Sequence, residues 1–168
     1  LMLTILLESV SDGGAMSIVT VAKNRKARHD YFILETWECG IALTGTEIKS
    51  VRASRLNLKD GYAFIDGGEL WLMNVHISPY EKGSYYNHEP VRPRKLLMHK
   101  KEIMRLVGKV KEKGLTIVPL SVYIKDGKKA KVELALVKGK TQHDKRESIT
   151  ARDAERAMQR AVKEKNYT

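Results

Sequence analysis

Residues 115–137 decide the fold of this chain: Leu115-Thr-Ile-Val-Pro-Leu-Ser-Val-Tyr-Ile-Lys125, a turn at Asp126-Gly127, and Ala130-Lys-Val-Glu-Leu-Ala-Leu-Val137. The first run is rich in β-branched and apolar residues, which favour strands. In the second run, charged Lys131 and Glu133 face one side and apolar residues face the other, which is the period of a half-buried strand. Because Asp-Gly favours a tight turn, the segment predicts a hairpin of two long antiparallel strands.

Shorter patterns on either side of this hairpin predict further strands. Residues 62–66 and 69–77 form a second hairpin pattern, with Gly67-Gly68 at the turn. β-Forming residues also predict strands at 31–37 and 41–44, separated by a break at Gly40. The chain therefore contains five or six predicted strands and no run of βαβ units.

Helical patterns are fewer. Residues 47–53 predict one helical turn. Apolar residues spaced near i, i+3 and i+4 predict an amphipathic helix from Lys95 to Lys113, with Gly114 as its C-cap. The fold class expected is mainly β: an OB-fold-like antiparallel β-barrel with flanking short helices and a basic C-terminal tail. Closure into a barrel is favoured because it removes exposed strand edges.

The net charge is the most prominent feature of the composition. The 168 residues include 31 Lys and Arg against 20 Asp and Glu, a formal charge of +11. The excess lies in residues 23–30, 92–113 and 125–146, whose net charges are +3, +7 and +5. A surface that serves solubility alone intermixes both signs. The concentration predicts a polyanionic partner, with nucleic acid favoured over a membrane surface.

Aromatic residues accompany the charge, and their rings can stack on unpaired bases. Tyr85 and Tyr86 are the better candidates, because they lie in a predicted loop at 78–93. For Trp37 and Trp71, packing in the core is favoured over stacking, because they lie in predicted strands. The other candidates are Tyr31, Tyr62 and Tyr80.

No pattern of a cofactor site or an enzyme occurs in the sequence. The single cysteine, Cys39, excludes an internal disulfide and a multi-cysteine zinc site. The five histidines lack the spacing of a metal pair, and no phosphate-binding glycine motif occurs. Adjacent side chains are expected to diverge, so the His29-Asp30 and His143-Asp144 pairs predict no catalytic dyad. We therefore expect neither catalysis nor a cofactor.

The two ends differ from the predicted barrel at 16–137. Residues 1–15 are apolar at only their first seven positions, which is too short a run to span a membrane. They also lack the basic front of a signal peptide. They are read as a leader or an over-extended start before Met16, and the expected location is the cytoplasm. Residues 138–168 form the basic tail, which we expect to be disordered alone and helical on the ribosome. Its helical period covers 149–165, with a weak capping box at Thr150 and Asp153.

Four motifs follow one another along the chain. They are Asn24-Arg-Lys-Ala-Arg-His-Asp-Tyr-Phe32, Glu38-Cys-Gly-Ile-Ala-Leu-Thr-Gly-Thr-Glu-Ile-Lys-Ser-Val-Arg52, Arg92-Pro-Arg-Lys-Leu-Leu97 and Lys138-Gly-Lys-Thr-Gln-His-Asp-Lys-Arg146. In order and spacing the set resembles the SsrA-binding protein family, also called small protein B. The resemblance covers roughly residues 22–147, and four linked motifs make it specific.

The resemblance implies a protein that binds transfer-messenger RNA (tmRNA, or SsrA RNA) in trans-translation, the rescue of stalled bacterial ribosomes. Proteins of the family bind the tRNA-like domain, promote its alanylation and accompany it to the ribosomal A site. Alanyl-tRNA synthetase and elongation factor Tu are then indirect partners, through tmRNA. The tail is implied to occupy the decoding centre of the small-subunit RNA and the empty message channel.

The resemblance also implies two sets of contact residues. In the tmRNA-binding set, Glu38 is the unusual member, because phosphate repels a carboxylate; it either accepts hydrogen bonds from bases or pairs with a nearby Lys or Arg. That set is Asn24, Arg25, Lys26, Arg28, His29, Glu38 and Lys131. The tail set is Gly139, Lys140, Gln142, His143, Asp144, Lys145 and Arg146.

Two other functions are weighed against this one. A generic OB-fold component of translation would share the barrel, but it would have no need of the basic Gln142–Arg146 segment. An RNA-processing enzyme is disfavoured because the sequence offers neither a metal site nor an activated nucleophile.

Overall fold

The computed structural model describes residues 17–82, 87–111 and 114–166, and nine strands and four helices occur in these ranges. The strands are β1 (Ile18–Lys23), β2 (Tyr31–Ile41), β3 (Leu56–Asn57), β4 (Tyr62–Asp66), β5 (Glu69–Met73), β6 (His76–Ile77), β7 (Arg94–Leu97), β8 (Leu115–Lys125) and β9 (Lys129–Gly139). The helices are α1 (Arg25–Asp30), α2 (Gly45–Arg52), α3 (Lys100–Val110) and α4 (Gln142–Asn166). The mainly β class predicted from the sequence is confirmed.

Seven strands form one antiparallel sheet, paired in the order β1-β8-β4-β5-β7-β2-β9. β8 also pairs with β9, so the pairing leaves β8 through β4 and returns to it through β9. β1 pairs with β8 outside this ring, and β3 and β6 form a separate small sheet. A pairing order that returns to its first strand is the connectivity of a small barrel, and it leaves few open edges.

The hairpin predicted at 115–137 is confirmed as β8 and β9. The two strands pair from Leu115 opposite Lys138 to Lys125 opposite Lys129. Asp126 and Gly127 at the turn have φ angles of 53° and 65°. Positive φ at two consecutive residues is what a tight turn of the type I′ class requires, and Asp-Gly tolerates it best.

β9 is buried on both faces near its end, where the sequence predicted one buried face. Leu134 and Leu136 belong to the main core, whereas Ala135 and Val137 belong to a second cluster that Ala27 of α1 completes. The second face is apolar because α1 covers it. The end of β9 therefore fixes the position of α1, which carries the first basic motif.

The break predicted at Gly40 is wrong, because β2 continues through Gly40 to Ile41. A Cβ atom at position 40 would lie 3.3 Å from the Cβ of Leu97, its neighbour on β7. Glycine thus permits a close approach between two strands here instead of ending one. The strand expected at 41–44 is reduced to its first residue, and Thr44 caps α2.

The helix predicted from Lys95 begins later, at Lys100, because residues 94–97 form β7. Arg94 and Leu96 are buried in β7, and Lys95 and Leu97 between and after them are more exposed. Four residues are too few for this alternation to be separated from a helical period in the sequence. The C-cap of α3 is Lys111, and not Gly114 as predicted.

The tail helix α4 begins at Gln142, seven residues before the predicted start at 149. Thr141 Oγ1 accepts a hydrogen bond from the Asp144 amide at 3.2 Å, and Asp144 Oδ2 accepts one from the Thr141 amide at 3.0 Å. This reciprocal pair is the capping box. The box predicted at Thr150 and Asp153 is wrong: Thr150 lies inside α4, where its hydroxyl donates to the Arg146 carbonyl at 3.0 Å.

Glu47 forms a buried ionic cluster with two arginines of the 92–97 motif. Glu47 and Arg94 have no exposed side-chain area, and the Arg94 Nε donates to the Glu47 carboxylate. Arg94 also donates to the Val75 carbonyl at 2.7 Å and to the Pro90 carbonyl at 3.0 Å. Arg92 donates from Nε to the same carboxylate at 3.1 Å. The basic stretch at 92–113 therefore holds one arginine wholly inside the protein and a second against a buried acid, which corrects the expectation that this charge faces a partner.

Candidate nucleic-acid interface

α1 presents the first basic motif at the start of β2. Asn24 is its N-cap, and its Oδ1 accepts a hydrogen bond from the Ala27 amide at 3.0 Å. The side chains of Arg25, Lys26 and Arg28 are exposed, while Ala27 is buried in the second cluster. Alternation of one buried alanine with three exposed cations makes α1 a short basic face fixed to the barrel.

Asn24 has a structural use that differs from the implied RNA contact. Its side chain is 3% exposed and donates from Nδ2 to the carbonyls of Leu58, at 3.0 Å, and Pro119, at 2.9 Å. Both amide hydrogens and the amide oxygen are thus bonded within the protein. Asn24 positions α1 on the barrel, and a contact from this side chain to RNA stays a prediction.

A cavity of about 330 Å³ lies beside α1. Lys26 Nζ lies 2.9 Å from Asp60 Oδ1 at its wall, and this pairing raises the pKa of the Lys26 ammonium. Tyr31 and Tyr62, two of the stacking candidates, also line the cavity, and Tyr62 is 44% exposed. Lys59 lines it as well. Lys59 was not among the predicted contact residues, and it lies outside the three basic stretches.

His29 and Asp30 are bonded to each other, which corrects the expectation that adjacent side chains diverge. His29 Nδ1 lies 2.8 Å from Asp30 Oδ1, and this hydrogen bond holds the pKa of the Asp30 carboxyl below its usual value. Asp30 is the last residue of α1 and is followed at once by β2, so neither the helical nor the strand spacing applies to the pair. No hydroxyl or thiol nucleophile is bonded to this pair in the described residues.

The tail begins beside α1, because β9 is antiparallel to β2 and Gly139 lies opposite Tyr31. The Lys140 amide donates to the Asp30 carbonyl at 2.8 Å, and Lys145 Nζ lies 3.4 Å from Asp30 Oδ1. Further along α4, Arg152 donates to the Arg28 carbonyl at 2.9 Å. The implied tail set and the implied α1 set are therefore neighbours in the fold.

The other members of the tail set have individual surroundings. The side chain of His143 is 80% exposed, and its Nε2 lies 2.9 Å from Glu147 Oε1, one helical turn away. Hydrogen bonds from Thr141 hold the pKa of Asp144 below its usual value, which fits its role in the capping box. Arg146 is exposed, and Gln142 is the first residue of α4. His143 and Arg146 face solvent, where an RNA could reach them.

Glu38 lies further along β2, in a polar group that also contains Tyr123 and Lys125. Its carboxylate accepts a hydrogen bond from the Tyr123 hydroxyl, and Lys125 Nζ lies 3.4 Å from Oε1. The Tyr123 bond, together with Lys125 and Lys131, holds the pKa of Glu38 below its usual value. The side chain is still 44% exposed. Glu38 thus has the structural lysine partner that the sequence left open, while one flank of the carboxylate faces solvent.

Lys131 lines a wider cavity of about 500 Å³ between β9, the end of β2 and the start of α2. Lys128 and Lys129 line the same cavity, so three lysines face one concavity. The two additional lysines belong to the basic stretch at 125–146 but not to the implied contact set. Their signal in the sequence was the run of charge on both sides of the Asp-Gly turn.

The implied tmRNA-binding residues form two groups. Arg25, Lys26, Arg28 and His29 lie before the first residue of β2, and Glu38 lies seven residues further along that strand. At about 3.3 Å per residue, roughly 20 Å separates the two groups. The fold therefore spreads the set along β2 and does not gather it into one pocket.

The aromatic candidates divide as well. Trp37 packs against the main core, as expected, with Lys109 Nζ 5.6 Å from its ring centroid. Trp71 instead lies opposite Phe64 on the outer face of the β4–β5 hairpin and lines a surface groove of about 400 Å³. The ring of Tyr80 is covered by Lys49, whose Nζ lies 5.2 Å from the ring centroid. Tyr85 and Tyr86 lie outside the described residues.

The fold and the site together define a class, that of a small basic β protein with cationic groups in three places. These places are α1, the cavity that Lys131 lines, and α4. Such a surface suits a polyanion. Within the described ranges, no group of three or more His, Cys, Asp and Glu residues is arranged to hold a metal ion. None of the helices in those ranges is both long and apolar enough to cross a membrane.

Comparisons with known proteins assign the family within this class. The model of the SmpB protein family matches residues 21–164, so the chain belongs to this family. The SsrA-binding protein of Desulforudis audaxviator is 64% identical over 146 residues, which are 87% of this chain and 95% of that protein. The SsrA-binding protein of Moorella thermoacetica is 62% identical over 148 residues, 88% of this chain and 96% of that protein. The resemblance stated from the four motifs is confirmed.

The fold is similar to a solved structure of the same family. That structure is described as "tmRNA-SmpB: a journey to the center of the bacterial ribosome". The matched chain is 53% identical, with a TM-score of 0.63 and coverage of 76% of this chain and 93% of that chain. At this identity the likeness supports a common fold and a common family.

Proposed function

We propose that this protein binds tmRNA and acts in trans-translation on stalled ribosomes. The observation that carries the proposal is the identity of 62% or more, over most of both chains, to proteins named for binding SsrA RNA. The name of these relatives favours this function over a generic OB-fold component of translation.

The geometry supports a contact with the tRNA-like domain. Arg25 and Arg28 are exposed on α1, where their guanidinium groups can neutralise phosphates. The cavity beside them is lined by Tyr31 and Tyr62, which offers ring faces next to cations. Lys131, together with Lys128 and Lys129, supplies a second cationic site at the other end of β2.

The proposal assigns the tail a separate task. After the RNA is alanylated by alanyl-tRNA synthetase and carried by elongation factor Tu, the barrel accompanies it to the A site. α4 then occupies the decoding centre and the empty message channel. The exposed His143 and Arg146 support this division, because they face solvent at the first turns of the helix. The protein itself makes and breaks no bond in this scheme.

A binding titration against tmRNA and an ordinary tRNA, each at about 50 and 200 mM salt, tests the proposal. We expect tighter binding of tmRNA at both salt concentrations. If four cations each neutralise one phosphate, affinity for either RNA falls by about 100-fold across this range. Equal affinity for the two RNAs would contradict the proposal.

Replacing Glu38 by alanine is expected to weaken tmRNA binding by about tenfold, although it makes the protein more basic. The reason is the loss of a carboxylate acceptor for base N–H groups, each such contact being worth about 1–3 kcal/mol. The measurement is the dissociation constant at fixed salt. Glu35→Ala is the matched control, because Glu35 lies on the same strand, is exposed and pairs with Lys109. Unchanged binding by Glu38→Ala in a folded protein would mean that Glu38 serves only as a structural partner of Tyr123 and Lys125.

A further inference from the structure

The hairpin formed by β4 and β5 has an apolar residue set on both of its faces. The residues that are buried in the barrel are Ala63, Leu70 and Leu72. On the other face, Phe64 lies opposite Trp71, and Tyr62 lies opposite Met73. A strand with water on its outer face usually carries polar residues there. Trp71, which was expected in the core, thus belongs to an outer apolar face.

This outer face is open to a partner. The residues Tyr62 and Phe64 are 44% and 40% exposed. Phe64, Trp71 and Met73, together with Pro93, line the groove of about 400 Å³, which we call the Trp71 groove. Aromatic residues and methionine are enriched at the centre of protein–protein interfaces, where an apolar side chain of one protein fills a pocket of the other. The lining of the groove is therefore suited to an apolar anchor from another protein.

The Trp71 groove is acidic at the end nearest the hairpin turn. Asp66 and Glu69 lie opposite each other there, and both line the groove. Among the described residues that form the lining, none is lysine or arginine. Lys95 lies opposite Trp71 on β7, and its Nζ is already 3.0 Å from Glu69 Oε1. Two carboxylates and one ammonium leave this part of a strongly basic protein with a net charge of −1.

The charge of the groove distinguishes between a nucleic acid and a protein as its occupant. The cavity that Lys131 lines is the opposite case, because three lysines and no carboxylate line it. Phosphate is attracted to that cavity and repelled by the Trp71 groove. Rings such as those of Phe64 and Trp71 can stack on bases, but each base brings a phosphate with it. A polypeptide with an apolar side chain beside lysine or arginine matches both the rings and the carboxylates.

We propose that the Trp71 groove is a docking site for a basic protein segment that carries an apolar anchor. The anchor lies against Phe64 and Trp71, and the cations of the segment pair with Asp66 and Glu69. The place of contact rests on the proposed function, which brings the protein to the stalled ribosome, and the partner there is a ribosomal protein. None of the groove residues belongs to the implied tmRNA or tail sets.

The first measurement tests the chemistry of the groove without RNA or ribosomes. Trp37→Phe leaves Trp71 as the only tryptophan of the chain, so that fluorescence reports on the groove. The probe is a peptide of sequence Lys-Lys-Leu-Leu-Lys-Lys with both ends blocked. We expect a saturable shift of the emission to shorter wavelength, because the bound peptide removes water from the indole ring. The acidic peptide Glu-Glu-Leu-Leu-Glu-Glu and a uridylate oligonucleotide should give no saturable shift.

Variants of the acidic residues show whether the charge matters. In the same background, Asp66→Asn together with Glu69→Gln is expected to weaken binding of the basic peptide by about fivefold or more. The matched control is Glu35→Gln together with Glu81→Gln, which makes the same charge change at two exposed acids that pair elsewhere. It should bind like the parent. No saturable shift with the basic peptide, equal weakening by both double variants, or a saturable shift with the oligonucleotide would overturn the proposal.

The second measurement identifies the class of the partner. Phe64→p-benzoylphenylalanine places a photocrosslinker in the groove, and this variant is irradiated on purified ribosomes stalled on a message without a stop codon, with tmRNA present. The expected product is unaffected by ribonuclease, and mass spectrometry should assign it to a ribosomal protein. Ile18→p-benzoylphenylalanine is the control, because Ile18 is 54% exposed on β1, and it should give no product with the same protein.

Three results of the crosslinking would overturn the proposal. They are a product with RNA, a product with a second copy of this chain, and no product although the variant sediments with the ribosomes. If the parent itself shows no preference for tmRNA and does not sediment with stalled ribosomes, the proposed function fails, while the peptide titration still decides the chemistry of the groove.

Discussion

Replacing Glu47 by alanine is expected to lower the free energy of unfolding by about 3–5 kcal/mol, the usual cost of leaving a buried charge without its partner. Arg94 has no exposed side-chain area, and Glu47 is the carboxylate to which its Nε donates. Arg92 and the amide of Thr44 donate to the same group. Urea unfolding followed by circular dichroism measures the change.

The control for this prediction is Glu69→Ala, which breaks an exposed ion pair with Lys95. Such pairs contribute about 0–1 kcal/mol, so the two variants should differ clearly. A loss below about 1 kcal/mol in Glu47→Ala would mean that the cluster does not hold the loop before β7 to α2. A double variant, Glu47→Gln with Arg94→Met, tests the same cluster by removing both charges. It should lower the free energy of unfolding less than removal of Glu47 alone, because no buried charge is left without its partner.

Glu47 also makes a pH-dependent contribution to stability. Burial alone would raise the pKa of its carboxyl, but hydrogen bonds from Arg92, Thr44 and Arg94 outweigh burial and lower it. A carboxyl whose pKa is lower in the folded state stabilises the protein above the unfolded pKa of about 4.3, and this stabilisation is lost as pH falls through the folded value. The difference in unfolding free energy between the parent and Glu47→Gln should therefore shrink below about pH 4.

Truncation after Lys140 is expected to abolish peptide tagging on stalled ribosomes while leaving tmRNA affinity close to that of the full chain. The segment removed carries seven Lys and Arg against five Asp and Glu, so the net charge hardly changes. The α1 cations and the lysine-lined cavity at Lys131 remain. Affinity is read from a titration and tagging from a translation reaction on a message without a stop codon.

The position of the cut matters, because β9 extends to Gly139. A cut after Val137, at the boundary predicted from the sequence, would remove Lys138 and Gly139, which pair with Phe32 and Tyr31 of β2. Truncation after Asn166, the last residue of α4, serves as the control and should tag like the full chain. Lost tmRNA affinity after the cut at Lys140, with unfolding unchanged, would refute the separation of barrel and tail roles.

Strong local signals predicted the correct structure. Asp126-Gly127 between two long β-rich runs identified the central hairpin, and Gly67-Gly68 identified the second one. The second strand of that hairpin was predicted over 69–77 but ends at Met73, because His76 and Ile77 form β6 in the separate small sheet. These predictions succeeded because turn geometry depends on the backbone preferences of two adjacent residues. The four motifs likewise identified the family, since their order and spacing are properties of the chain alone.

Signals that depend on a distant partner could not be read in the same way. Gly40 resembled a strand break because the close neighbour that requires glycine, Leu97, lies 57 positions away. Arg94 counted toward a basic surface because its buried acid, Glu47, belongs to another motif. Asp30 and His29 were expected to diverge because the turn from α1 into β2 was unknown.

The sequence by itself therefore determined the class of fold, the family, and the presence of cationic segments around the barrel and in the tail. Only the tertiary structure decided which cations reach the surface, that the implied RNA contacts split into two groups along β2, and that the tail starts beside α1. The physical reason is that composition and periodicity are summed over neighbours in the chain, whereas burial, ion pairing and cavity shape depend on residues that antiparallel pairing brings together from far apart.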